Sequence, residues 1–189
     1  SALSIAIRAA LEAGQDIMDI YTDPKQDFGI ERKADNSPLT LADKAAHRRI
    51  ADMLKETTLP VLSEEGQHVD YEERRQWDAF WLVDPLDGTK EFIKRNGEFT
   101  VNIALVEDGT PVMGVIYVPV KDVLYYGSSN GAFRRKSDAG EPEVRLPEDK
   151  EDAAYRVVAS RSHLSPETEA FINDLRSEHL DLQLVSSGS

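Results

Sequence analysis

The sequence predicts a layered α/β fold (α+β layered) with mixed and antiparallel sheets. Two helical patterns, residues 4–21 and 40–55, precede the first long strand. From residue 99 the apolar period changes, and three strand patterns follow one another with polar turns between them. A third helical pattern from residue 165 then lies between strand patterns at 155–160 and 180–185.

The first helix rests on Ile5, Leu11, Ile17 and Ile20 with alanines between them, and Thr22-Asp23-Pro24 stops it. A short strand is expected at 28–33, then a mobile polar loop at 34–38. Thr40 caps the second helix, with Asp43 in its first turn. Residues 60–63 form a short buried strand that delivers Glu64 and Glu65 at its end, and 70–75 read as an acidic linker. The strand at 79–83 ends in a polar turn, after which Gly88 or Thr89 opens a helical turn. Strands follow at 99–106, 112–118 and 123–126, the first two joined by the hairpin turn Glu107-Asp108-Gly109-Thr110, and sheet edges at 131–134 and 143–146. Ser165-Pro166 has the residue types of a helix N-cap and first helical position.

The 189 residues carry 22 Lys plus Arg against 35 Asp plus Glu, a formal charge of -13. Such a surface disfavours nucleic-acid polymers, whose affinity rests on cationic contacts to phosphate. A small phosphorylated ligand remains compatible wherever local cations reverse the field. No cysteine is present, which excludes disulfides and thiolate chemistry. No apolar run approaches the roughly 20 residues of a transmembrane helix, and no basic leader with an apolar core opens the chain. The expected setting is cytoplasmic, with a peripheral position at the inner membrane face left open.

The stretch Trp81-Leu82-Val83-Asp84-Pro85-Leu86-Asp87-Gly88-Thr89-Lys90-Glu91-Phe92 is the hardest to explain by folding alone. Asp, Pro and Gly are ordinary turn residues, yet Asp84 and Asp87 stand together at a strand end, as do Glu64 and Glu65. If the two strands are neighbours, all four carboxylates converge on one sheet edge. Oxygen ligands of this kind suit Mg²⁺, and no Cys or His cluster competes for zinc. Leu86 has only its carbonyl to offer. Thr89, at a helix start, lies where free N–H groups favour phosphate, and its hydroxyl suits holding the attacking water. The layout is that of metal-assisted hydrolysis of a phosphate monoester.

Asp43, Glu64-Glu65 and Asp84-Pro85-Leu86-Asp87-Gly88-Thr89 occur in the order found in the inositol monophosphatase superfamily, which the whole chain resembles. The Asp-Gly-Thr-Lys-Glu-Phe core is similar to that of its CysQ-type 3′(2′),5′-bisphosphate nucleotidase branch. The resemblance implies an αβαβα sandwich and a lithium-sensitive hydrolase with two or three Mg²⁺ ions. Its substrate would be the small nucleotide 3′-phosphoadenosine 5′-phosphate of sulfur metabolism. Glu64, Asp84, Asp87 and the Leu86 carbonyl would be metal ligands. Glu65 and Thr89 would orient or activate water, Asp43 would support Thr89, and the Gly88 and Thr89 amides would meet phosphate. Lys33 resembles a mobile-loop lysine near a third metal site, and Ser160-Arg161-Ser162-His163 a segment that approaches the nucleotide, with a solvent-facing loop as the alternative for Arg161 and His163.

Three readings stay open: the nucleotidase, an inositol- or sugar-phosphate phosphatase, and a non-catalytic metal-binding fragment. The superfamily places one more ligand in a downstream Trp-Asp-x-Ala-Gly motif, and the only Trp-Asp pair here is Trp77-Asp78, upstream of the core. The expectation is therefore a lobe at 1–155 carrying the metal site and the beginning of a second α/β lobe at 156–189, the sequence resembling the first two-thirds of such an enzyme. Homodimers are common in the superfamily. His47 reads as a helix residue and His68 and His179 have no evident partners. Lys90 and Arg95 are either solvated or steer an anion, and Trp77, Phe80 and Trp81 read as packing.

Overall fold

The computed structural model describes residues 1–25, 27–138, 140–148, 154–161 and 164–188. These fall into two compact units, Ser1–Pro147 and Glu148–Ser189.

In the first unit, α1 (Ala2–Tyr21) buries Ala6, Ala9, Ala10, Ala13 and Ile17 completely. Their spacing of three and four places them on one helix face. The same face carries Gly14, where a Cβ would lie 2.3 Å from Tyr117 Cε1, so the helix comes this close to the sheet only with glycine there. Helix α2 (Leu41–Leu54) packs beside it and buries Ala42, Ala46, Ile50 and Leu54. Before α2, β1 (Glu31–Arg32) and β2 (Pro38–Leu39) form a small antiparallel hairpin. The strand expected at 28–33 is therefore shorter. Phe28 turns into the core instead, with its ring centroid 4.7 Å from that of Phe92.

One seven-stranded sheet runs β3-β4-β5-β6-β7-β8-β9. Its strands are β3 (Val61–Ser63), β4 (Ala79–Asp87), β5 (Thr100–Glu107), β6 (Thr110–Val118), β7 (Val123–Ser128), β8 (Gly131–Arg135) and β9 (Val144–Leu146). β3 is parallel to β4 and every other pairing is antiparallel. The expected edge at 131–134 is an interior strand, because β9 pairs outside it. The acidic linker contains a single turn of helix, α3 (Tyr71–Arg74), and α4 (Thr89–Lys94) follows β4.

Trp81, Val83, Val101, Ile103, Val115 and Tyr117 bury their side chains on the face that α1 and α2 cover, as the two-residue period requires. Trp81 Nε1 donates to Thr57 Oγ1 at 2.8 Å, which removes the cost of burying its N–H. Phe92 is fully buried, 5.3 Å from Phe99 and 5.3 Å from Tyr21 between ring centroids. Arg95 lies over the Tyr21 ring at 4.7 Å, a cation–π contact that accounts for this residue within the fold. Among the described residues no helix is long and apolar enough to cross a membrane.

The second unit is a βαβ arrangement: β10 (Arg156–Ser160) and β11 (Gln183–Ser187) are parallel, joined through α5 (Pro166–Glu178). Ser165 Oγ accepts from Thr168 N at 3.2 Å, the expected cap. His179 has a partner after all, stacking on Tyr155 with ring centroids 3.7 Å apart. His68 pairs with Asp70 at 3.2 Å.

Phe92 packs α4 against the rings of Tyr21, Phe28 and Phe99, so Phe92→Ala is expected to cost about 3–5 kcal/mol, read as a lower denaturant midpoint at unchanged m-value. Phe92→Leu is expected to lose well under half as much.

Candidate active site

The segment expected to be a turn after β4 is the end of β4 itself. Asp84 pairs with Asn102 and Asp87 with Thr100, so three steps along β4 oppose two along β5. In a regular strand residues three apart face opposite sides. The extra residue of this bulge restores the parity and brings Asp84 and Asp87 to the same side as Asn102 and Thr100. Pro85 is tolerated there because a bulged position needs no ladder N–H. On the other flank Ser63 pairs with Val83 in parallel, and Glu64 N donates to Val83 O at 3.1 Å. Glu64, just past β3, thus lies beside Asp84 toward one end of the sheet, as the parallel register of two neighbouring strands dictates.

Carboxylates gathered this way repel one another. Burial, then the facing Glu64 and Asp87 carboxylates, push Asp84 up to about 7. Its Oδ1 is buried with no hydrogen-bond partner. Two ionised carboxylates have no proton to share, so the contact with Glu64 is repulsive unless one is protonated or a cation intervenes. Across the site the Lys33 ammonium, carried between β1 and β2, bonds Glu64 Oε1 at 3.0 Å and also Glu65 Oε1. Burial pulls Lys33 down, and the two glutamates more than reverse this and raise it. Glu65 is raised by its own burial against the opposing Lys33 bond. The carboxylates are electrical neighbours and not a closed cage: among the described residues no three His, Cys, Asp or Glu are grouped as a formed ion site. An orphaned, buried carboxylate oxygen amid carboxylates nonetheless fits a hard, oxygen-seeking cation.

The second half of the site is built on α2. Asp43 is completely buried. Its Oδ2 accepts from Thr40 N at 2.8 Å and from Thr40 Oγ1 at 2.5 Å, while Thr40 Oγ1 accepts from Asp43 N at 3.4 Å, a capping box. Asp43 Oδ1 accepts from Thr89 Oγ1 at 2.8 Å. Thr89 opens α4 directly after Gly88, whose φ of +97° and a Cβ position 2.9 Å from Glu98 O require glycine. Leu86 is buried, and its carbonyl lies 3.4 Å from Thr89 Oγ1.

Besides the Lys33 pairings, two connections escaped the sequence reading. Asn102 Nδ2 donates to Asp87 Oδ2 at 3.2 Å, and His47 Nδ1 meets Ser63 Oγ at 2.9 Å, tying α2 to the strand that carries Glu64. An asparagine inside the apolar run Val101-Asn102-Ile103 was the available signal for the first. The His47–Ser63 contact spans 16 residues and has none. Glu64, Asp84 and Asn102 line a cavity of about 660 Å³ with Arg74, Leu82 and Ile116. Arg161 lies in the second unit, its N–H donating to Ser187 O at 2.7 Å, and His163 lies outside the described residues.

A layered α/β fold presenting strand-end carboxylates beside a buried Asp–Thr pair defines a class of phosphatases. A sequence profile of the inositol monophosphatase family matches residues 1–189, and the chain belongs to that family. It is 47% identical to the 3′(2′),5′-bisphosphate nucleotidase CysQ of Escherichia coli over 181 residues, 94% of this chain and 70% of that one. Identity to the Salmonella typhimurium protein of the same name is 48% over the same shares. Among solved structures, CysQ from Bacteroides thetaiotaomicron superposes with a TM-score of 0.86 at 54% identity, covering 99% of this chain and 72% of that one. The extragenic suppressor protein suhB of Bartonella henselae gives 0.74 at 26% identity, covering 98% and 70%.

The raised Asp84 carboxyl sets a pH signature. The folded chain holds this proton above the ordinary carboxylate value of about 4, so without metal the folded state loses stability as pH rises from about 4 to about 7. Asp84→Asn removes that loss: in a chelating buffer its melting temperature should gain on the parent across this window, about 2–4 °C for each kcal/mol relieved. Parallel melting curves at all pH values would contradict the assignment.

Proposed function

We propose that this chain carries the centre of a Mg²⁺-dependent phosphomonoesterase that converts 3′-phosphoadenosine 5′-phosphate to AMP and phosphate. The observation that carries the reading is the Thr89 Oγ1 to Asp43 Oδ1 hydrogen bond of 2.8 Å. Asp43 is buried and its other oxygen is occupied by Thr40. The single proton of Thr89 is thereby committed inward, and its hydroxyl oxygen faces the site as an acceptor. An acceptor there takes one O–H of a water and turns that water's lone pair toward phosphorus.

Glu65, raised by burial, is the group we assign to receive the water's proton. The water oxygen bonds phosphorus as the bond to the 3′ oxygen breaks, and the departing oxygen takes a proton from solvent, so the chain forms no covalent intermediate. Gly88 and Thr89, at the opening of α4, are the amides assigned to phosphate. Glu64, Asp84, Asp87 and the Leu86 carbonyl are the ligands we assign to Mg²⁺, two or three ions in all. When bound, the metal neutralises phosphate charge and acidifies the attacking water.

Support for the nucleotide comes from the CysQ relatives, whose name states that activity. The formal charge of -13 supports a small substrate over a polymer. We infer a cytoplasmic setting, in keeping with a cysteine-free chain.

Phosphate release from the bisphosphorylated nucleotide is expected to require Mg²⁺, to fall with lithium and to exceed release from inositol 1-phosphate. Thr89→Val should lower kcat by about 10²–10⁴-fold while Thr89→Ser keeps most of it, and Asp87→Asn should nearly abolish turnover. Release that persists in excess chelator, or is untouched by Asp87→Asn, would sink this mechanism.

A further inference from the structure

Asn102 sits on β5 directly across from Asp84, and Thr100 directly across from Asp87. Its amide is held at both ends. Thr100 Oγ1 donates to Asn102 Oδ1 at 3.0 Å, and Asn102 Nδ2 donates to Asp87 Oδ2 at 3.2 Å. The two ends of an amide are told apart by their partners. Turned over, Asn102 would present its carbonyl oxygen to the Asp87 carboxylate, acceptor against acceptor. The Thr100 hydroxyl gives that carbonyl oxygen somewhere else to go.

This pairing differs in kind from the ion pairs at Glu64 and Glu65. Glu64 and Glu65 are met by an ammonium, a full positive charge that any incoming cation repels. Asp87 Oδ2 accepts from a neutral donor, the Asn102 amide. A neutral amide carries no charge against a divalent ion and can remain in place beside it, fixing the direction of the carboxylate. Asn102 also faces Asp84, whose Oδ1 has no partner of its own, so a neutral residue at this point adds no further negative charge to a crowded face.

We infer that Asn102, fixed by Thr100, is a positioning residue that aims the Asp87 carboxylate and thereby sets the affinity of the site for its cation. The inference rests on the assignment of Asp87 as a metal ligand under the proposed function. Partners of this sort around a ligand typically change metal affinity about 10–100-fold when removed.

Mg²⁺ binding to the whole chain, measured by calorimetry and by the rise in melting temperature with added Mg²⁺, tests it. Asn102→Ala should weaken Mg²⁺ at least about ten-fold, and Thr100→Val should weaken it in the same direction. Thr100→Ser, which keeps the hydroxyl, should restore parent affinity. Melting of Thr100→Val in chelator should match that of the parent, because a purely structural role would lower it and spare the metal. Should Asn102→Ala fail to fold, the Thr100→Val and Thr100→Ser pair decides alone. Mg²⁺ affinity within two-fold of the parent in folded Asn102→Ala and Thr100→Val overturns the inference while leaving Asp87 a ligand, provided Asp87→Asn loses Mg²⁺. Unchanged binding in Asp87→Asn, or no binding by the parent chain, overturns the ligand assignment and the inference with it.

Discussion

A β-strand shows alternate residues to alternate faces, so two carboxylates three apart cannot share a side of a regular ladder. β4 escapes that rule by one extra residue between its pairings with Asn102 and Thr100. The neighbouring strands supply what the bulge alone would not. β5 on one side keeps its own alternation, so Asn102 and Thr100 provide a fixed frame for the displaced segment. β3 on the other side runs parallel, which brings Glu64 out at the same sheet end as Asp84. A slip of either pairing by one residue would send a carboxylate into the face packed by α1 and α2. The buried face, where Trp81 and Val83 fill the helix interface, is thus the reason the acidic face keeps its register.

The carboxylates meet this frame under very different electrical conditions. Asp43 is the most deeply buried and the best satisfied, with two donors from Thr40 on one oxygen and Thr89 on the other. Its bonds cap α2 and join it to α4 at the same time, so a helix terminus and the Thr89 hydroxyl share one anchor. Asp84 is the opposite case, buried and orphaned at one oxygen. Fold stability is served by satisfying every buried acceptor, and the departure from that rule falls where the proposed cation belongs.

Much of this was legible in the sequence because period and chemistry agreed. The alanine-rich face of α1, the Thr40 cap with Asp43, the strands from residue 99 onward and the two acidic strand ends each follow from local pattern. Pro85 misled because proline after a strand ordinarily marks a turn, and only the cross-strand register reveals a bulge. Asn102 went unassigned because its meaning depends on which strand lies beside it. The His47–Ser63, Trp81–Thr57 and Tyr155–His179 contacts join residues 16 to 24 positions apart, and nothing local encodes such meetings. The pairing of Lys33 with Glu64 and Glu65 across 31 and 32 residues was hidden for the same reason.

Lys33 rides between β1 and β2, a hairpin paired at two residue positions and tied at its far end by charge. An electrostatic tether of this kind differs from a mechanical hinge, since it stores no shape and is undone by exchange. Under the assignment proposed above, a cation bound at Glu64 would compete with the ammonium for that carboxylate, while Glu65 keeps its own bond to Lys33. Dissolved salt weakens such a tether as well, so ionic strength acts on the hairpin that carries Lys33.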